Sequence, residues 1–485
     1  MTMTMTETLD EVSDRSPALK RVIGPKLLLL LIMGDIIGAG IFAITGRVAG
    51  EVGGMAWLPF LLAFAIATLT AFSYLELVTK YPYAAGAALY AHKAFRIHFV
   101  TFIVAFAVAS SGITSAATSA TLVGKNLLIG FGQFFEWLPQ DSTATMITAI
   151  AIIVILALVN LRGVGESVKF NLVLTLVTLG MMAIIIAIGL VAIVGGNGDV
   201  SRLVVFETPA DRGAFAAVTV ATAIAFFAMV GFEDSVNLVE EVKNPRRIFP
   251  KMMLLGLGLC AVVYMLVAVT VVMVIPLGDI LDPQNPDAGI LLDVVRIGAP
   301  GLPVDAIFPF LTVFAVVNTA LINMLMASRL LYGMAKQDVL PKVLGTVLPK
   351  RRSPWVAILF STLLAIALIV YVNLNTEGGI VGQLGGTTGL LLLCVFAVVN
   401  IALLVLRRDP SPEGAFRAPT IVPILGGLLS LFLAGPWARS RDDWVQYEIA
   451  GGLLVIGIVL WLVTWVAALI HRNRKGKRSR NVANF

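Results

Sequence analysis

Charge is what this 485-residue sequence has least of: Asp, Glu, Lys and Arg together make up 13%, about half the share found in an ordinary soluble domain. There are three histidines and two cysteines, Cys260 and Cys394. No cluster of His, Cys and acids suggests a metal, and two cysteines inside apolar runs imply no disulfide framework. His92 and His98 read as interfacial residues, not ligands. The first twenty residues, MTMTMTETLDEVSDRSPALK, lack an apolar stretch followed by a cleavage-like site, so they read as a polar tail and not a signal peptide. A net charge of +6 does not mark a nucleic-acid binder, because the basic residues gather at the ends of apolar runs and the terminal HRNRKGKRSR suits anionic lipid.

What is present is apolar. Such residues make up 58% of the chain and mean hydropathy is +0.94, values that a water-exposed surface could not tolerate. The expected class is an all-α polytopic membrane protein. Cutting the apolar runs at about 20 residues per span gives twelve candidates: 27–48, 56–79, 98–127, 144–162, 168–194, 213–240, 250–276, 305–335, 354–374, 380–406, 419–436 and 446–470. The eleventh is short and opens with Pro419 and Pro423. With the N-terminus inside, 27 of the 35 Lys and Arg fall in cytoplasmic segments and seven outside, the asymmetry expected of short loops. Both termini are therefore expected in the cytoplasm, as a tail of residues 1–26 and a basic tail of 471–485 flanking a membrane domain of 27–470.

Two spans are interrupted. The first carries GDIIGAGIF, Gly34 to Phe42, and the sixth carries FFAMVGFEDS, Phe226 to Ser235. A lipid-embedded helix must satisfy its own backbone, so irregular backbone survives only where it faces protein or a wet cavity. Gly34 and Gly38 also have the spacing of a helix-packing motif. Breaks at corresponding positions of two halves, however, point to a transport site between inverted repeats: spans one to five (27–194), spans six to ten (213–406), and two extra helices (419–470). A restarting half-helix offers N–H groups to a carboxylate, and a stopping one offers carbonyls to an ammonium. Two breaks together match both charges of an amino acid backbone.

On these residues the sequence resembles the amino acid–polyamine–organocation family of permeases. The motifs are GAGIF, then FFAMVGFEDSVNLVEEVKNPRRIFP from Phe226, SRLLYGMAKQDVLPKVL from Ser328, and LVLRRDP from Leu404 with FRAP from Phe416. The resemblance implies a five-plus-five fold working by alternating access. It implies that a substrate carboxylate meets the amides of Ala39, Gly40 and Ile41, next to Gly38. The amino group would meet carbonyls near Ile36, Phe227 and Val230, beside Gly231. It also implies that Phe227 caps the site and that Asn323 is a candidate for the substrate side chain. Some members carry a lysine in the fifth span implicated in proton coupling; the equivalent position here is Thr178. A hydroxyl there could hold a carbonyl of the broken helix or belong to an ion site.

Ionisable residues inside spans are functional candidates by default. Asp35 reads as a neighbour of the site, a candidate for coupling or gating facing the inner pathway, or else for structural pairing with a basic residue. Glu233, just past Gly231, is a candidate for coupling or gating, or else for propping the unwound backbone; Asp234 beside it would cap the restarting helix. Glu76 is grouped with Glu240 or Glu241 and basic loop residues in an inner charge network, structural or gating, that would hold the inner gate shut. The run Ser110 to Thr121 reads as packing or as a lining of the path. The expected function is a secondary transporter for an amino acid in a bacterial cell membrane, with no enzyme activity and no cofactor. Its partners would be a small-molecule substrate, lipid, and a coupling proton or a counter-substrate. A polyamine or organic-amine carrier is the alternative; an ion channel is disfavoured for want of a ring of ligands.

Overall fold

Within hydrocarbon each apolar run must pair its own peptide groups, which selects helices. The computed structural model describes residues 21–482 except 22, 84–85, 163–166, 209–211, 282–289, 338, 350, 352 and 376–378. Most of the expected N-terminal tail therefore lies outside the described residues, as do the last three residues of the basic one. Among the described residues the chain is all α with no strand, only two isolated bridges.

The first span is two helices, α1 (Pro25–Ile36) and α2 (Ala39–Val52), bent by 46° at Ile37 and Gly38. Then follow α3 (Trp57–Lys80), the short α4 (Gly86–Phe95), α5 (His98–Gly132), α6 (Ser142–Arg162) and α7 (Ser167–Ala192). The sixth span starts as α8 (Ala214–Phe226) and continues through a 3-10 turn, Phe227–Met229, and a second, Asp234–Glu241. The second half contains α9 (Pro245–Val274), the short α10 (Ile290–Gly298), α11 (Val304–Lys336), α12 (Trp355–Asn375) and α13 (Ile380–Leu406). Last come α14 (Ile421–Ala434) and α15 (Val445–Val482).

Ten helices among the described residues are long and apolar enough to cross a bilayer, and the bent α1–α2 pair makes an eleventh. The twelfth expected span, 419–436, is only the 14-residue α14, about 21 Å at 1.5 Å per residue against a core of about 30 Å. Pro419 lies just before its start, Pro423 falls in its first turn, where no intrahelical N–H bond is lost, and Gly435 and Pro436 follow its end.

The pairings follow the pattern that two inverted five-helix repeats produce. Helix α1 packs on α9 as α8 packs on α3, α5 on α13 as α11 on α7, and α6 on α11 as α12 on α5. The longest seam joins α5 to α11, third span to eighth, and forms the scaffold beside the broken spans. An aromatic cluster fills the middle: Tyr74 lies edge-on to Tyr90, Phe232 and Phe396, with centroids 5.7 to 6.0 Å away.

Buried ion pairs tie the ends of the bundle. On the charge-rich face, Glu76 of α3 accepts from Arg407 Nε at 2.9 Å and Nη2 at 2.6 Å, and from the Ala418 amide at 2.9 Å. Lys80 donates to the carbonyls of Leu406 at 2.6 Å and Asp409 at 2.8 Å. Of the basic loop residues grouped with Glu76, it is Arg407 at the end of α13 that meets its side chain, and Arg246, just after the sixth span, donates to the Thr79 carbonyl of the same helix as Glu76 at 3.3 Å. Removing one partner of a buried pair strands the other charge, at a cost of about 3–5 kcal/mol. Arg407→Met should therefore lower the melting temperature in detergent more than Arg407→Met combined with Glu76→Gln does. Equal losses in the single and double variants would show that the pair contributes nothing beyond packing.

Candidate functional site

Both breaks are built by glycine and by mutual contact. Helix α1 ends as the Gly38 amide turns back to the Ile36 carbonyl at 2.9 Å, and α2 restarts at Ala39 with no side-chain cap on its first turn. In the sixth span Gly231 has φ +123°, a conformation nearly closed to residues with a side chain. Its amide donates to the Glu233 carboxylate at 2.9 Å. A Cβ on Gly231 would stand 2.9 Å from the Asp35 carbonyl carbon and 3.1 Å from the Ile36 nitrogen. A Cβ on Gly40 would stand 2.7 Å from the Cα of Ala228. Each break thus lies against the backbone of the other.

Between them is a cavity of about 20 Å³, lined by Asp35, Ile36, Gly38, Ala39, Gly40, Ser115, Phe227, Val230, Gly231, Asp234, Thr319 and Asn323. That holds about one water molecule, so loading a solute requires the helices to part. Every expected binding residue but one lines it. The exception is Ile41, fully buried one position further into α2. A second small cavity shares Val230, Asp234 and Asn323 with the first. It runs between α5, α11 and α13 past Ser111, Gly112, Met326 and Thr388, with Glu233 at its edge.

The polar groups are arranged unevenly. The Ile36 carbonyl accepts from the Tyr264 hydroxyl of α9 at 2.6 Å as well as from Gly38. Sequence reasoning missed Tyr264, which sits in the apolar run of the seventh span. Thr319 and Ser115 were also unassigned singly, although Ser115 belongs to the serine and threonine run; Thr114, Thr118 and Thr121 of that run donate to carbonyls of their own helix. Thr178 likewise donates to Leu174 within α7 at 2.9 Å. It is Thr175, one turn earlier, that lies against Gly34 of α1. Asn323 Nδ2 donates to the Thr319 carbonyl at 2.9 Å. The Phe227 ring closes on Gly385 of α13, where a Cβ would stand 3.2 Å from it. Asp35, Glu233 and Asp234 form no ion pair among the described residues. His92 meets Thr101 and His98 meets Trp461 near the ends of their helices. No group of metal-ligating side chains occurs among the described residues.

Two unwound spans crossing at a buried polar cavity define a multi-pass membrane protein built as a transporter. The chain belongs to the Amino acid permease family, whose profile matches residues 23–459. It is similar to the methylthioribose transporter of Bacillus subtilis, 27% identical over 97% of this chain and 96% of that one. The branched-chain amino acid permease BcaP of the same organism is 26% identical over 92% and 93%. A cationic amino acid transporter of Arabidopsis thaliana, number 9 and chloroplastic, is 27% identical over 70% of this chain and 59% of that protein.

Gly231→Ala places a side chain at positive φ against the Asp35 peptide, a strain of about 1–3 kcal/mol before any clash. It should lower the melting temperature and abolish uptake, whereas Gly333→Ala, in open space on α11, should do neither. Wild-type uptake by Gly231→Ala would show that the crossing of the breaks does not require glycine.

Proposed function

We propose that this chain is a secondary active transporter that moves an amino acid across a bacterial cell membrane by alternating access, through symport or exchange. The observation that carries the reading is the uncapped start of α2, where Ala39 and Gly40 line the cavity opposite the carbonyl end of the α1 break. The N–H groups and positive dipole end there favour a carboxylate, while carbonyls near Ile36, Phe227 and Val230 favour an ammonium. Phe227 serves as the lid. The charge asymmetry supports cytoplasmic termini and an outward position for the charge-poor face that bears Arg47, Glu51 and Asp443. The side chain of the substrate extends into the second cavity. The relatives named above carry such different cargoes, by their names, that they leave that side chain open.

A second reading, a polyamine or organic-amine carrier, is favoured by the three carboxylates without ion pairs around the breaks. Decarboxylation separates the two. The best amino acid from a thermal-shift screen should raise the melting temperature, because it binds only the folded state, and should compete for uptake. Its decarboxylated amine should not. Undiminished competition by the amine would overturn the amino acid reading in favour of the carrier of amines.

Glu233 both supports Gly231 and borders the second cavity, a position from which we infer that it takes up and releases a proton during transport. Glu233→Gln keeps an oxygen able to accept from the Gly231 amide and removes the titration. The variant should fold with a near-normal melting temperature but lose the carboxyl-dependent step in the pH profile of uptake. A pH profile superimposable on wild type would leave Glu233 with the structural role alone.

A further inference from the structure

The loop between α14 and α15 belongs to neither five-span repeat, yet its side chains reach the first broken span. Arg47 of α2 donates Nη2 to Asp443 Oδ1 at 2.9 Å. Asp443, only 1% exposed, also accepts from Ser440 Oγ at 2.7 Å and Gln446 Nε2 at 3.1 Å. Arg439, 7% exposed, donates to Gln446 Oε1 at 2.8 Å and to the carbonyls of Leu433 at 2.9 Å and Ala438 at 3.0 Å. Aspartate 443 is therefore held in place by its own loop and extends one interaction across to α2.

That loop is fastened to α13. Gln383 Nε2 donates to the Asp442 carbonyl at 3.2 Å, and the Gln446 amide lies directly on Gly386. The Arg47 guanidinium lies on Gly382, where a Cβ would stand 2.8 Å from its Cζ. Phe227 meets the same helix at Gly385. On one side of this seam stand α2 and the turn after α8, whose Phe227 lines the first cavity, and on the other stands α13 with its loop. Separating the two sides parts Phe227 from Gly385 and Arg47 from Asp443 in one movement.

We propose that Arg47 and Asp443 are positioning residues forming an outer latch, by which the loop outside the repeats sets how readily the site opens toward the exterior. The inference rests on the transporter reading for its meaning, but its test needs no substrate. While closed, the two charges are largely withdrawn from water and compensate each other; when the face opens, water takes over both roles. Neutralising either one therefore favours the open arrangement.

Hydrogen–deuterium exchange on the full chain in detergent or nanodiscs reads this directly, because amide exchange reports local opening. Asp443→Asn should raise exchange in Ala39–Val52 and the Phe227–Met229 turn by about tenfold, between the effects of exposed and buried pairs, while the scaffold helices α5 and α11 stay unchanged. The charge swap Arg47→Asp with Asp443→Arg should return α2 toward wild type. If Asp443→Asn does not fold, Arg47→Gln keeps a donor at the position and should give the same local pattern with a smaller rise. Unchanged exchange in α2, or an equal rise in α5 and α11, would overturn the latch. A local rise without any measurable transport of amino acids or amines would keep the latch and defeat the transporter reading instead.

Discussion

A peptide group left without a hydrogen-bond partner in hydrocarbon costs several kcal/mol, and this chain interrupts helical pairing twice at membrane depth. The two interruptions persist because each is covered by the other. Gly231 lies on the Asp35–Ile36 peptide and Gly40 on Ala228, so neither break meets lipid. Local polar groups complete the arrangement, with Tyr264 on the Ile36 carbonyl and Glu233 on the Gly231 amide. Much of the surrounding sequence serves this crossing: small residues where backbones approach, and aromatic bulk around Tyr74 to fill the space beside it.

The same crossing gives the site its chemistry. Because the helices break where they touch, the uncapped start of α2 and the carbonyl end of α1 lie at one cavity, and on the proposed reading these ends recognise the two opposite charges of a solute. The two broken spans are joined a second time where the Ile23 amide donates to Glu241 and the Lys243 amide donates to Ile23, both at 3.0 Å. They are thus coupled at their middle and at one end. Against them stands α13, which meets Phe227 and Arg47 along one glycine face and is bound at its other end to α3 through Arg407 and Glu76.

Much of this could be read from the order of residues. The interruption of an apolar run by Gly-x-Gly and by Gly-Phe-Glu-Asp is a local signal, since only backbone irregularity explains glycine and acid together at that depth, and it located most of the cavity lining. Residues contributed singly by distant helices gave no such signal. Tyr264 and Thr319 look like ordinary members of apolar helices until their neighbours are known. Thr178 was matched by spacing, and that Thr175, three residues earlier on α7, lies against Gly34 of α1 shows only in the packing. Glu76 announced an ion pair without announcing its partner, because Arg407 lies more than three hundred residues away.

By itself, the sequence determined the membrane class, the order of apolar segments, the places where two helices must break, and the segment ends at which positive charge collects. Each of these follows from hydropathy, glycine or charge counted along the chain. The tertiary structure alone decided which carbonyl meets which hydroxyl, that α14 falls short of a full span, how small the cavity is in this arrangement, and that a loop outside the repeats reaches Arg47. Those depend on the angles at which helices cross, and crossing angles are set by the packing of side chains from segments far apart in the chain.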